Sequence, residues 1–215
     1  MPLLLLDLDN TLIDRDAAFR SAMTTFLAEH GLPAGDLAWI MAVDDDGYRP
    51  RPDVARAMTR RYGDRVPLAA IHEVLDRGAA DRVTLDDTVR AALLEARAAG
   101  WTPVIVTNGR THQQTVKIRR TGLDLLVDSW VISEAVGHKK PAPEIFHAAA
   151  AGRSLRAAWM VGDSAPADVG GAGALGVRTV WVSRGRSWAE RDFTPTRVAA
   201  DAATAIGLVV GSGQG

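Results

Sequence analysis

Cysteine is absent from the 215 residues of the chain, which excludes disulfide bonds, thiolate metal ligands and a cysteine nucleophile. An excess of charge is also lacking, because the formal net charge at pH 7 is -1. No overall field therefore favours nucleic acid or an anionic membrane as a partner. No run approaches the roughly 18 apolar residues of a membrane span, and Asp7 interrupts the first leucine run too early for a signal peptide. We predict a cytoplasmic protein with neither nucleic-acid nor membrane partners.

Lysine is scarce as well. Of the 25 basic residues, only Lys117, Lys139 and Lys140 are lysines, and the other 22 are arginines. Genomic base composition is the simplest explanation for this bias. Two of the three lysines nevertheless stand side by side before Pro141. A compact ammonium group suits a phosphate as a point charge, which makes Lys140 a candidate ligand. Solvated surface charge is the simpler interpretation of Lys139.

Short runs of apolar residues are what the sequence does contain. None of them alternates apolar with polar positions, which is typical of strands buried on both faces of a parallel sheet. Helical stretches separate most of the runs, so the pattern predicts an α/β fold with right-handed crossovers. The predicted strands are residues 3–6, 104–106, 130–132, 159–161 and 179–182.

One long segment breaks this alternation. Between residues 14 and 85 no buried strand is evident, whereas Phe19, Met23 and Phe26 lie on an apolar stripe at helical spacing. Two further helices are predicted near residues 54–58 and 68–75. We therefore predict a helical module inserted after the first strand. The predicted division is a core of residues 1–15 and 86–210, a helical module of residues 16–85 and a disordered tail of residues 211–215.

Asp7 and Asp9 end the first predicted strand in the sequence LLLLDLDNTL. Residues i and i+2 of an extended chain project to the same face. Both carboxylates then lie at the carboxyl edge of the sheet, where ligands bind in open α/β folds. Such a pair suits a cation, or a division of work between a nucleophile and an acid/base. For the bare motif, a turn capped by Asp9 or Asn10 is the more economical interpretation.

The segment VIVTNGR follows the second predicted strand and contains Thr107, Asn108 and Gly109. Asn-Gly is a favoured hairpin dipeptide, but a hairpin requires an antiparallel strand next. The following RTHQQTVKIRRTG is polar and helix-like. A Thr-Asn-Gly turn from a strand into a helix presents a hydroxyl, an amide and backbone N–H groups to an anion. We favour an anion site here.

The segment WMVGDSAPADVGG places Asp163, Ser164 and Asp168 after another buried strand. Carboxylate oxygens at strand ends suit magnesium, which accepts one or two protein carboxylates together with water and substrate phosphate. Taken alone, these residues could equally cap the helix that follows.

Taken together, these motifs resemble those of the haloacid dehalogenase superfamily, most of whose members are phosphatases. The four motifs appear in order as DLDNT, VTNG, the lysine of KKPAP, and GDSAPAD. The resemblance covers residues 1–15 and 86–185 and implies a Rossmann-like parallel sheet, with the inserted module as a helical cap. Ala167 departs from the pattern, because relatives often have asparagine at that position.

The resemblance implies a role for each matching residue. Asp7 would be the nucleophile and Asp9 the acid/base; Asp9 would also bind Mg²⁺ through its main-chain carbonyl. The dehalogenase branch lacks this acid, because a halide leaving group needs no proton, so phosphate chemistry is favoured. The remaining implied ligands are Thr107, Asn108, Gly109 and Lys140 for phosphate, and Asp7, Asp163 and Asp168 for Mg²⁺.

The cap is expected to select the substrate. Its most polar loop contains Tyr48, Arg49 and Arg51, which are candidates to reach the non-phosphate end of a small phosphorylated substrate, although a solvated loop explains them as well. Two other functions remain open: a sugar-phosphate mutase of the β-phosphoglucomutase type and a non-catalytic binding module. Both a monomer and a homodimer are compatible with the sequence.

Overall fold

The computed structural model describes residues 1–212 and contains a six-stranded sheet in the order β3-β2-β1-β4-β5-β6. Every neighbouring pair of strands is parallel. The apolar runs, which do not alternate with polar positions, predicted this arrangement. The five predicted strands are present, and a short sixth strand at the edge was not predicted. The strands are β1 (Leu3–Leu6), β2 (Thr102–Thr107), β3 (Ser129–Ile132), β4 (Trp159–Gly162), β5 (Arg178–Val182) and β6 (Arg197–Ala199).

Strand β1 lies at the centre of the sheet. Its four leucines are at most 2% exposed, because β2 pairs with it on one side and β4 on the other. Leu5 is in register with Val104 of β2 and with Met160 of β4. The direction of the strand order reverses between β1 and β4. In open α/β sheets this reversal opens a crevice at the carboxyl ends of the strands, where ligands bind.

Residues 14–83 form a compact unit of their own, built from helices. Asp14 caps the first helix by accepting a hydrogen bond from the N–H of Ala17. The apolar stripe of this helix, including Phe19, Met23 and Phe26, is buried. The helices are α1 (Arg15–Glu29), α2 (Asp36–Asp44), α3 (Arg51–Tyr62) and α4 (Leu68–Arg77), with 3₁₀ turns at Asp45–Gly47 and Gly63–Arg65.

The other unit comprises residues 1–13 and the chain from Thr84 onward. Asp86 caps its first helix through the N–H of Thr88, and a π-helical turn spans Ala165–Gly170. Gly211 and Ser212 belong to the last helix and not to a disordered tail, whereas residues 213–215 lie outside the described part. The helices are α5 (Asp87–Ala98), α6 (Thr111–Arg120), α7 (Ser133–Val136), α8 (Pro143–Ala150), α9 (Gly171–Gly173) and α10 (Ala202–Ser212), with a 3₁₀ turn at Leu123–Leu125.

No helix within residues 1–212 is both long and apolar enough to cross a membrane.

Candidate active site

The predicted polar residues converge at the carboxyl edge of the sheet, beside the reversal in strand order. Asp7 follows β1, and its N–H donates to the carbonyl of Val161 in β4 at 2.9 Å. Asp163 follows β4 directly. Both aspartates are nearly buried, at 7% and 6% exposed. The rigid central strands therefore fix two carboxylates on either side of the crevice.

Lys140 connects the first, second and fourth motifs. Its Nζ lies 2.6 Å from Asp7 Oδ1 and 2.7 Å from Asp168 Oδ1. It also donates to the main-chain carbonyl of Val106 at 2.6 Å. Asp168 is fully buried on the π-helical turn. A Cβ at Gly162 would overlap the carboxylate of Asp168, so a glycine is required for this close approach.

Thr11 joins two of these aspartates, a contact that the sequence motifs do not indicate. Its Oγ1 donates to Asp7 Oδ2 at 3.0 Å and accepts from the N–H of Asp163 at 3.1 Å. Each oxygen of Asp7 therefore has a different partner, Lys140 on Oδ1 and Thr11 on Oδ2. The carboxyl plane of the predicted nucleophile is held from both sides.

The electrostatics of the cluster are dominated by burial. Burial, reinforced by the charges of Asp168 and Asp163, raises the pKa of Asp7 to about 8 despite the ammonium of Lys140. Burial and the charge of Asp168 also raise the pKa of Asp163 to about 6, against the opposing effect of Arg186. For Lys140, burial disfavours the charged form, but the carboxylates of Asp168 and Asp7 outweigh it and raise its pKa. The cluster therefore carries more carboxylates than one ammonium group balances.

This donor set fits a hard divalent cation. Asp7, Asp163 and Asp168 each offer a carboxylate oxygen, and these oxygens lie within 4.8 Å of one another. Mg²⁺ is bound by oxygen ligands of this kind, usually with water and substrate phosphate completing its shell. Arg186, which the sequence did not single out, donates to Asp163 Oδ2 at 3.1 Å and to the Asp163 carbonyl at 2.8 Å.

In the second motif, Asn108 and Gly109 have partners within the protein, and phosphate binding by this turn stays a prediction. The side chain of Asn108 pairs with the backbone of Lys140, accepting from its N–H at 2.8 Å and donating to its carbonyl at 3.0 Å. The N–H of Gly109 donates to Ser133 Oγ at 2.9 Å. Asn108 therefore ties the second motif to the third. Thr107 is the last residue of β2 and is 1% exposed, so its hydroxyl lies at the edge of the sheet.

Asp9 contacts two side chains that do not contact Asp7. Its two oxygens lie 2.7 and 2.8 Å from Lys117 Nζ, and Gln114 Nε2 donates to Oδ2 at 2.9 Å. Both of these side chains come from α6. The sequence pattern indicated this helix but not its inward face. A sequence signal for this inward face does exist. Gln114 and Lys117 are three positions apart, which places them on the same side of a helix, and Lys117 is one of three lysines in the chain.

The loop residues of the helical unit were predicted as specificity candidates. Tyr48 and Arg49 are exposed, whereas Arg51 forms an ion pair with the buried Asp44 at 2.6 Å. Arg15 also pairs with Asp44, through Nη2 to Oδ1 at 2.8 Å. Arg51 thus has an internal partner. A substrate contact by these three loop residues stays a prediction.

Known proteins resemble the chain in both sequence and fold. The model of the haloacid dehalogenase-like hydrolase family matches residues 1–176. A glyceraldehyde 3-phosphate phosphatase from Pyrococcus furiosus is 37% identical over 106 residues, and a phosphoserine phosphatase from Thermus thermophilus is 41% identical over 106 residues. Each alignment covers 48% of this chain, but only 44% and 43% of those two proteins. The chain thus aligns with less than half the length of these curated relatives.

The fold similarity extends over nearly the whole chain. The magnesium-bound crystal structure of a HAD-hydrolase from Bacillus subtilis superimposes with a TM-score of 0.81, covering 97% of this chain and 98% of the other at 22% identity. At that identity the similarity establishes the fold. The inserted helical unit belongs to this shared architecture.

Proposed function

The chain belongs to the haloacid dehalogenase-like hydrolase family, and on that premise we propose that it is a magnesium-dependent phosphomonoester hydrolase. Its substrate would be a small phosphorylated metabolite, and Asp7 would form an aspartyl-phosphate intermediate. The supporting observation is a division of contacts between two carboxylates. Asp7 is bound to Lys140 and Thr11 among the metal-type ligands, whereas Asp9 is bound to Lys117 and Gln114.

In the first step, a carboxylate oxygen of Asp7 attacks phosphorus. The new Asp7 O–P bond forms as the bond from phosphorus to the leaving oxygen breaks, and Asp9 gives its proton to that oxygen. Lys140, 2.6 Å from Asp7 Oδ1, holds the nucleophile and adds positive charge beside the phosphoryl group. The Thr107 hydroxyl at the strand end supplies a donor to a phosphoryl oxygen.

In the second step, water hydrolyses the intermediate. Asp9, which gave up its proton in the first step, takes one from water as the water oxygen attacks phosphorus. The Asp7 O–P bond then breaks, and inorganic phosphate and the free carboxylate of Asp7 are released. One residue therefore serves as acid and then as base, which requires its carboxyl group to stay in one place through both steps.

Asp7, Asp163 and the main-chain carbonyl of Asp9 would hold Mg²⁺, with Asp168 in support. The bound ion would supply positive charge that offsets the phosphate and the aspartates. The three clustered carboxylates support this assignment, because their oxygens lie within 4.8 Å of one another.

Asp9 also favours phosphate over halide substrates. A carbon–halogen bond breaks without protonation of the leaving group, so a dehalogenase has no need of an acid at this place. An alkoxide leaving from phosphorus does need a proton. The chain retains the carboxyl group two residues after the nucleophile, and α6 supplies two side chains that contact it.

Phosphate release from a panel of phosphomonoesters, with and without Mg²⁺, tests this function. Wild type is expected to release phosphate from at least one member only when Mg²⁺ is present, and Asp7→Asn is expected to show background rates. Full activity of Asp7→Asn would contradict the mechanism.

Products should be analysed together with the rates. A glucose phosphate that is isomerised without net release of phosphate would replace the hydrolase by a mutase. Failure to process any phosphomonoester, with Asp7 intact and Mg²⁺ bound, would favour a binding role.

A further inference from the structure

Asp9 is contacted by two side chains of α6 that lie on the same face, three residues apart. Lys117 Nζ reaches both oxygens of Asp9, at 2.7 and 2.8 Å, and Gln114 Nε2 reaches Oδ2 at 2.9 Å. The side chain of Lys117 is only 7% exposed, and that of Asp9 is 26% exposed. The ammonium group is therefore largely withdrawn from water and contacts both oxygens of this carboxylate.

Stability alone is a poor explanation for this ion pair. Burying an ammonium group loses its hydration free energy, and an ion pair offsets this loss only when its geometry is good. Apolar residues often stabilise such a position as well or better. The chain also uses arginine for 22 of its 25 basic residues. Of its three lysines, one contacts Asp7 and another contacts Asp9. Lysine is thus retained where a compact ammonium group meets a carboxylate of the first motif.

Gln114 connects the same carboxylate to the phosphate-binding turn. Its Nε2 also donates to Thr107 Oγ1 at 2.6 Å. A Cβ at Gly109 would lie 3.0 Å from the side chain of Gln114, so the glycine leaves room for this glutamine. The position of Asp9 is consequently linked to the position of the hydroxyl at the end of β2.

We propose that Lys117 and Gln114 are positioning residues, which hold the Asp9 carboxyl group where it exchanges protons with the leaving alcohol and with water. This inference rests on the proposed hydrolase function. It adds that α6 fixes the acid/base independently of the contacts that hold Asp7. A shift of about 1 Å in such a group is enough to slow catalysis strongly.

The test compares two substrates that differ in their need for an acid. Ethyl phosphate has a poor leaving group that requires protonation, whereas 4-nitrophenyl phosphate has a good one that does not. We expect Lys117→Met to lower kcat/KM for ethyl phosphate about 100-fold but for 4-nitrophenyl phosphate less than about 3-fold. The parameter kcat/KM is used because it reports formation of the intermediate and not its hydrolysis.

Three further variants control the comparison. Lys117→Arg keeps the charge and should recover part of the loss with ethyl phosphate. Arg120→Met removes an exposed basic residue from the same helix and should leave kcat/KM unchanged for both substrates. Gln114→Leu should give a smaller loss of the same selectivity, and it replaces Lys117→Met if that variant does not fold.

Crystal structures of wild type and Lys117→Met provide a readout besides activity. Displacement of the Asp9 carboxyl group by more than about 1 Å would support the inference. An equal loss for both substrates, no loss at all, or an Asp9 carboxyl group that stays in place would overturn it. If wild type hydrolyses no member of the phosphomonoester panel, the proposed function fails, and the two crystal structures alone decide whether Lys117 positions Asp9.

Discussion

Gly162 determines how closely Asp168 can approach the end of β4. Replacing it with alanine would place a Cβ inside the space of the Asp168 carboxylate, which must then move away from Lys140. We expect Gly162→Ala to lower kcat by at least about 10-fold, because a displaced Asp168 no longer holds the lysine beside Asp7. Steady-state kinetics measure this effect.

Gly173→Ala is the matched control for that substitution, since a Cβ there meets no atom within 4 Å. It should retain wild-type kinetics. Unchanged activity of Gly162→Ala would show that the ion pair between Lys140 and Asp168 is dispensable.

Single residues of the site were predictable to different degrees. Two aspartates, Asp7 and Asp163, follow buried apolar runs, and Lys140 precedes a proline. The structure brings these three side chains together. Thr11 ends the DLDNT motif but was given no role of its own, and Arg186 is one of 22 arginines and has no distinguishing pattern. Thr11 contacts Asp7 from four residues away, but the contacts of Thr11 and Arg186 with Asp163 join segments that are distant in the chain and are visible only in the three-dimensional structure.

At the scale of elements, the helical unit contains an ion cluster at the end of α2. Asp44 is fully buried and pairs with Arg15 of α1 and Arg51 of α3. The side chains of both arginines also lie over the ring of Phe19, at 4.5 and 5.2 Å from its centroid. This cluster joins three helices around the loop that carries Tyr48 and Arg49.

Removing the shared carboxylate should destabilise this unit strongly. We expect Asp44→Ala to lower the free energy of unfolding by about 3–5 kcal/mol, because two arginines lose their common buried partner. Urea denaturation, followed by hydrogen exchange of the α1 and α3 amides, measures the change. Asp53→Ala removes an exposed pair with Arg56 and should cost less than about 1 kcal/mol. Equal effects of the two variants would contradict the role assigned to the cluster.

The elements that the sequence did not predict share a physical cause. Along α2, the buried row consists of Asp36, Ile40 and Asp44, so charged residues occupy two of the three inward positions. Apolar periodicity cannot detect such a helix. Strand β6 has three residues, two of them exposed, and so lacks an apolar run. The central strands were predictable because burial on both faces requires apolar residues at nearly every position.

At the scale of the whole molecule, the stability of the metal-free protein should depend on pH through Asp7 and Asp163. Burial raises the pKa of these groups to about 8 and about 6, above the usual 3.8. The folded protein therefore retains protons that the unfolded chain releases. The resulting stabilisation is complete below about pH 4 and is lost as the pH rises towards about 8.

As the pH rises from about 5 to about 8, Asp7 and Asp163 ionise, and we expect this ionisation to lower the Tm of the metal-free protein. Mg²⁺ binds the ionised carboxylates of the folded state, so it should raise Tm more at the higher pH. Differential scanning calorimetry measures both effects. The double variant Asp7→Asn with Asp163→Asn should flatten the pH dependence and abolish the response to Mg²⁺. A Tm that is independent of Mg²⁺ at the higher pH would argue against a metal site here.

The central place of β1 also sets an order of events during synthesis. This strand is made before its two partners, which begin only at Thr102 and Trp159. Residues 14–83, which form a separate unit, are complete before either partner exists. Closing such long loops makes the pairing of β1 slow relative to local helix formation. The nascent chain therefore carries Asp7 well before Asp163 and Asp168, and the carboxylate cluster cannot assemble until the chain beyond β4 has been made.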